Sequence, residues 1–296
     1  MTAPVRSGFV ALAGRPNVGK STLLNAIVGE KVAIVSNRPQ TTRRAIRGIA
    51  TGDSYQLVIV DLPGVQRPLD PLTERMQRRM ERELSDSDAA LFVLNGQQGV
   101  GPGDRFIAAA IRRARVPVVI AVNKTDVLSR EQTVAALEQA AALDLDAEVY
   151  PVSALRRGGV PDVVRELVGR MPEGDYLYPP DDRTDMSEEI RVAELIREQV
   201  LDRTREELPH AVEVEVDEVE EREDGLLLIV ARMWAETESQ KGILIGARGQ
   251  MVRAIGMASR AEIEKLTGRR VHLDLSVRVR RGWRADEGLL DRLGID

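Results

Sequence analysis

The chain has 296 residues, 43% of them hydrophobic and 30% charged, enough for two domains with a core in each. It holds no cysteine, two histidines (His210 and His272) and 3% aromatic residues; disulfides, thiol catalysis, thiolate zinc sites, His-rich metal centres and a surface of aromatic platforms are excluded. The net charge of −5 conceals a contrast, because residues 241–284 carry eleven Lys/Arg against three acids while the rest of the chain is acidic on balance; one segment is suited to a polyanion.

The first fourteen residues are too short and poorly flanked for a signal peptide. No run reaches the roughly 18 apolar residues of a membrane span, so the expectation is a soluble intracellular protein. From residue 8 to about 171, five short apolar runs (9–13, 56–60, 89–94, 116–122 and 148–152) alternate with helical stretches. Near-continuous apolar strands separated by helices predict a mostly parallel sheet covered on both faces, an α/β domain over 1–172. Residues 171–185, with three prolines, a glycine and five acids, break that pattern, and 173–186 is expected to be an interdomain linker.

After it, Ile190, Ala193, Ile196 and Val200 fall at helical spacing. Val212, Val214 and Val216 alternate with Glu213, Glu215 and Asp217, predicting a half-buried strand whose wet side is acidic. A second strand is expected at 226–230, a helix from about 249 to 266, and a third strand where Val271, Leu273, Leu275, Val277 and Val279 alternate with polar residues. These make a small α+β domain over 187–296.

Gly14-Arg15-Pro16-Asn17-Val18-Gly19-Lys20-Ser21 matches GxxxxGK[ST] between a predicted strand and helix. Backbone N–H groups there can cradle phosphates, with Lys20 on the β- and γ-phosphates and the Ser21 hydroxyl on magnesium. Asp61-Leu62-Pro63-Gly64 follows the strand at 56–60, placing a second carboxylate for the magnesium shell and a Gly64 N–H toward the γ-phosphate. Asn123-Lys124-Thr125-Asp126 ends the strand at 116–122; its Asp takes guanine N1–H and N2–H₂ as a pair, which adenine lacks, so GTP is selected over ATP. Ser153-Ala154 follows the last strand, where a backbone N–H meets guanine O6. Thr42, in preference to Thr41, is expected to close over magnesium and the γ-phosphate. The residue after Gly64 is Val65, which cannot orient a water as the Gln of Ras-like enzymes does, so slow intrinsic turnover is expected.

In the basic segment, Gly246-Ala247-Arg248-Gly249 opens a predicted helix. Two glycines three apart at a helix N-terminus allow close backbone approach to phosphates, as in the GXXG loop of KH domains, which clamp about four nucleotides of single-stranded RNA. Arg248, Arg253, Lys241, Arg278 and Arg280 are the expected backbone contacts. Trp234 and Trp283 are expected in the core rather than stacked on bases. A rival reading is a regulatory GTPase whose basic domain binds a protein or a membrane surface.

Gly14-Arg-Pro-Asn-Val-Gly-Lys-Ser-Thr22, Gln40-Thr-Thr-Arg43, Asn123-Lys-Thr-Asp126, Gly242-Ile-Leu-Ile-Gly-Ala-Arg-Gly249 and the tail from Val277 to Gly294 together resemble the bacterial Era family over nearly the whole chain. The resemblance implies a P-loop GTPase domain followed by a type II KH domain of α-β-β-α-α-β order. It also implies a monomeric, cytoplasmic GTP/GDP- and Mg²⁺-binding enzyme that engages the 3′ end of 16S rRNA in 30S ribosomal subunit assembly, with peripheral contact at the inner membrane surface. The family's Asp-Thr-Pro-Gly is Asp61-Leu-Pro-Gly64 here, so that Thr hydroxyl is missing. In related GTPases an Asn at the position of Asn17 holds a potassium ion, which with Val65 raises the same expectation for this chain.

Overall fold

The computed structural model describes residues 4–36, 42–64, 71–204 and 208–295. Gln40, Thr41 and Val65 lie outside the described residues. The chain divides into two compact units, one reaching Asp185 and the other starting at Met186.

The first unit runs β1 (Arg6–Ala13), α1 (Lys20–Val28), β2 (Ile46–Gly52), β3 (Tyr55–Asp61), α2 (Pro71–Asp86), β4 (Ala89–Asn95), α3 (Pro102–Ala114), β5 (Val118–Asn123), α4 (Arg130–Ala141), β6 (Glu148–Pro151) and α5 (Val160–Arg170). The sheet order is β2-β3-β1-β4-β5-β6, with every pairing parallel except that of β2 with β3. Strands β4 and β5 are buried along their whole length, as expected of strands covered on both faces. Their side chains join Leu62, Ile107, Ile111 and Leu84 in one core. The expected α/β architecture is present, and the five predicted runs are β1, β3, β4, β5 and β6. Strand β2 was not predicted: its sequence, Ile46-Arg-Gly-Ile-Ala-Thr-Gly52, has neither alternation nor a continuous apolar run. The carboxyl ends of β1, β3, β5 and β6 open on one edge of the sheet, where open α/β folds place ligands.

The segment expected to be a linker is largely part of this unit. Gln56, fully buried, accepts the N–H groups of Leu177 and Tyr178 at 2.7 and 2.8 Å and donates to the Tyr178 carbonyl at 2.9 Å. The Ile49 N–H donates to the Arg183 carbonyl at 2.9 Å. With the Tyr176 hydroxyl donating to the Gly52 carbonyl at 2.8 Å and Asp185 accepting Arg47 at 2.9 Å, residues 176–185 lie along the free edge of β2, a position otherwise open to pairing with other chains.

The second unit runs α6 (Glu188–Arg203), α7 (Leu208–Ala211), β7 (Glu213–Glu221), β8 (Leu226–Ala235), α8 (Glu238–Ile245), α9 (Gln250–Thr267), β9 (Arg270–Val279) and α10 (Glu287–Arg292). Strand β8 is central, antiparallel to β7 and parallel to β9. Leu227, Ile229, Ala231, Met233 and Ala235 alternate inward along β8 and pack with Ile196, Val200, Ile255 and Ile263 of the helices. This is the expected α+β order, with three differences. The apolar stretch 242–245 is the last turn of α8, which starts at a capping box of Thr237 with Gln240. Glu213, placed by alternation on the wet side, is fully buried. The Arg197 guanidinium lies 3.8 Å from its carboxylate and 2.7 Å from that of Glu194, which supplies the countercharge that burial requires. Trp283 is in the core as expected, its Nε1 donating to the Ala211 carbonyl at 3.0 Å. Trp234 is not. It stands half-buried on the opposite face of β8, between Arg232 and Arg280, with Nε1 donating to Glu215 at 2.7 Å. Among the described residues, no helix is long and apolar enough to cross a membrane.

Candidate functional site

The loop between β1 and α1 ends in a sharp turn at Gly19, the N-cap of α1. Gly19 has φ 98°, and a Cβ there would lie 2.3 Å from Nδ2 of Asn123, so only glycine fits. Lys20, the first residue of α1, is buried and donates to the carbonyls of Gly14 and Arg15 at 3.0 and 3.2 Å. Burial holds its ammonium below the usual lysine range, against the opposing pull of Asp61. A phosphate would supply the missing countercharge.

Ser21, Thr42 and Asp61 come together although they are spread over 41 residues. The Ser21 hydroxyl donates to Oδ2 of Asp61 at 2.7 Å, the Thr42 hydroxyl reaches the same oxygen at 3.1 Å, and the two hydroxyls are 3.3 Å apart. All three oxygens are hard donors set around one point, a group that fits magnesium. Thr22 follows in α1. Leu62 is fully buried in the core, so the position occupied by a hydroxyl in the family's motif serves packing here. After Pro63, Gly64 lies against Pro16, with room for a Cβ only 2.9 Å from the Pro16 ring. Ser21, Thr42, Asp61 and Gly64 therefore flank the phosphate loop from the β3 side.

On the other flank, Asn123 acts as a strut. Its Nδ2 donates to the Val18 carbonyl at 2.9 Å, and its Oδ1 accepts the Ala154 N–H at 3.0 Å. Lys124, in the left-handed conformation, donates to the Asn17 carbonyl at 2.9 Å. The Thr125 hydroxyl donates to the Val152 carbonyl at 2.8 Å. Asp126 is thereby held at the rim, accepting the Ser153 hydroxyl at 2.7 Å, with Arg156 3.9 Å away. The amide expected to meet guanine O6 is engaged: the Ser153 N–H donates to Gly158 and that of Ala154 to Asn123. The sequence pattern identified which residues gather here but not these cross-links, two of which, Asn123 to Val18 and Lys124 to Asn17, join residues more than 100 apart. It also missed Asp104, whose carboxylate is 2.8 Å from the Arg15 guanidinium; Gly101-Pro-Gly-Asp104, a helix start with Pro in its first turn and an acid at the third position, was the available signal.

In the second unit, α8 ends in a left-handed turn. Gly246 has φ 72° and ψ 173°, and a Cβ there would lie 2.7 Å from that of Met251. Arg248 and Gly249 are also left-handed, at φ 52° and 76°, and Gly249 caps α9. Ala247, Arg248 and Arg253 are exposed. Arg248, Gly249, Val252, Arg253, Met257 and Leu273 are among the residues lining a groove of about 540 Å³ between α9 and β9. Arg248, Arg253 and Arg278 have no carboxylate partner among the described residues. Lys241 has Glu238 at 3.7 Å. Arg280 differs: its Nε donates at 2.9 Å to Asp286, the N-cap of α10, and its Nη2 bonds the same carboxylate.

Comparison with known proteins agrees with this geometry. Residues 9–124 match the family of 50S ribosome-binding GTPases, and residues 207–284 match the KH domain family. GTPase Era of Lactobacillus helveticus is 43% identical over 98% of this chain and 96% of its own length, and that of Mycobacterium sp. (strain KMS) is 44% identical over 98% of both. The fold superposes with a TM-score of 0.95 on Aquifex aeolicus Era bound to GDP and aluminium fluoride. The same score is obtained with Era in complex with MgGDPNP and nucleotides 1506–1542 of 16S ribosomal RNA. Each is 31% identical over 98% of this chain and 99% of the other. With the phosphate loop, the hydroxyl–carboxylate cluster and the glycine turn of the second unit all in place, the chain belongs to the Era family of GTPases.

Proposed function

We propose that this GTPase uses the state of its nucleotide to control how its second unit grips the 3′ end of 16S rRNA, and that it acts on the 30S subunit in the cytoplasm as a monomer. The GTP site is assigned to residues 14–22, 61–64, 123–126, Ser153 and Ala154. Lys20 and the loop N–H groups bind the β- and γ-phosphates, and Asp126 pairs with the guanine edge. Ser21, Thr42 and Asp61 would hold magnesium, which when bound neutralises charge on the β- and γ-phosphates. Gly64, next to Pro16, is placed to answer the γ-phosphate with its N–H.

The RNA reading is carried by one observation: the Gly246–Gly249 turn brings bare backbone to the mouth of a groove lined by Arg248 and Arg253, neither of which has a carboxylate partner among the described residues. Lys241, Ala247, Arg248, Gly249, Arg253 and Arg278 are assigned to RNA; Arg280, tied to Asp286, is assigned to holding α10. The related Era bound to 16S nucleotides supports the choice of ligand. If nucleotide state changes RNA affinity, RNA must change the preference for GTP over GDP by the same factor.

The test is a titration of an oligonucleotide copying the 16S 3′ end, beside a scrambled control, against GTP-analogue-bound and GDP-bound protein at fixed salt. Tighter, sequence-dependent binding in the GTP state is expected. The variant with Gly246→Asp and Gly249→Asp should lose RNA while keeping GTP. Binding that ignores sequence and nucleotide but follows anionic vesicles would transfer the basic unit to a membrane surface. Asn17, exposed in the left-handed region, is further assigned to a potassium ion, and hydrolysis at equal rates in potassium and sodium buffers would remove that assignment.

A further inference from the structure

Asp104 belongs to none of the motifs, yet it is fully buried beside the phosphate loop. It is the third residue of α3, and its Oδ2 accepts the Gly101 N–H at 2.8 Å. Capping that N–H asks only for an oxygen acceptor, which an amide supplies equally well. The negative charge is surplus to capping, and a buried carboxylate requires a countercharge. Oδ1 is buried without a hydrogen-bond partner among the described residues, so the cap leaves half the carboxylate unsatisfied. The countercharge is Arg15, with Nε 2.8 Å from Oδ2.

Arg15 lies across the first turn of α3. Its Nη2 donates to the Gly99 carbonyl at 3.5 Å, and Gly103 leaves the passage open, since a Cβ there would lie 2.6 Å from Arg15 Cδ. The side chain is thus anchored outside the phosphate loop, while its own carbonyl faces inward and accepts Lys20 at 3.2 Å. The carboxylate, the guanidinium, the loop carbonyl and the Lys20 ammonium form one mechanical series. We propose that Asp104 is a positioning residue for GTP hydrolysis: through Arg15 it fixes the loop carbonyl against which Lys20 is set. Displacing a phosphate ligand by a fraction of an ångström costs rate without removing the ligand.

The inference rests on the phosphate role given to Lys20. Asp104→Asn keeps an acceptor for Gly101 and removes the charge; in the full-length protein it should lower kcat for GTP hydrolysis by about 10- to 100-fold, with the melting temperature held. Arg15→Ala should do the same, the double variant should be no slower than the slower single, and Arg15→Lys should recover most of the rate. A wild-type rate in Asp104→Asn overturns the proposal, as does a loss that multiplies with that of Arg15→Ala. If Asp104→Asn does not fold, Arg15→Ala decides alone, a wild-type rate again overturning it. Lys20→Ala separates the two levels: hydrolysis surviving that change rejects the phosphate assignment itself, whereas hydrolysis lost there and intact in Asp104→Asn rejects only the positioning role.

Discussion

The two candidate sites solve opposite problems. Around the phosphate loop almost every polar side chain is already bonded to another part of the protein: Ser21 and Thr42 to Asp61, Asn123 to Val18 and Ala154, Asp126 to Ser153. The turn at Gly246–Gly249 has the reverse character, with exposed Arg248 and Arg253 lacking carboxylate partners among the described residues and its shape carried by backbone angles. A small rigid ligand that must be told apart from close analogues favours pre-bonded groups, because reorganisation is avoided. A long flexible polyanion favours free charges, each adding a similar amount.

That contrast is open to attack by substitution. In the closed site a single change should be severe: Asp126→Asn should reduce the preference for GTP over XTP on the order of 10⁴-fold, because an amide presents a donor where the base presents donors; competition binding reads it directly. Ser21→Ala removes one of three oxygens around the metal position and should slow magnesium-dependent hydrolysis by roughly 100-fold, with nucleotide affinity changing less. In the open site the losses should be graded. Arg248→Ala and Arg253→Ala should each weaken RNA binding about three- to tenfold and reduce the salt slope by about 1. If either arginine proved as decisive as Asp126, the second site would be a specific pocket and not an electrostatic clamp.

Legibility in the sequence followed burial. Strands β4 and β5 were evident because covering both faces demands an unbroken apolar run. Strand β2 was hidden by Gly48, Gly52 and Arg47, and it became a strand through its pairing with β3. In the nucleotide site the motif residues were all identifiable, since phosphate and guanine chemistry restrict residue types at short spacing. Asp104 was not, because its partner is nearly 90 residues away and nothing local marks a helix cap as carrying a second duty. In the second unit, alternation placed Glu213 in solvent and tertiary pairing with Arg197 overruled it. Arg280 illustrates a related limit: its charge was visible in the sequence, but the engagement of that charge by Asp286 was not.

The covering of β2 by residues 176–185 has a consequence in time. Ile49 and the Arg183 carbonyl that receives its N–H are 134 residues apart in the chain. A domain is completed from its N-terminus during synthesis, and at roughly 5–20 residues per second the cover follows the strand by about 7 to 27 seconds. For that interval the newborn sheet carries a bare edge of the kind that pairs with other chains. The features that hid β2 from prediction, Gly48, Gly52 and the charged Arg47, also make it a poor template for such pairing.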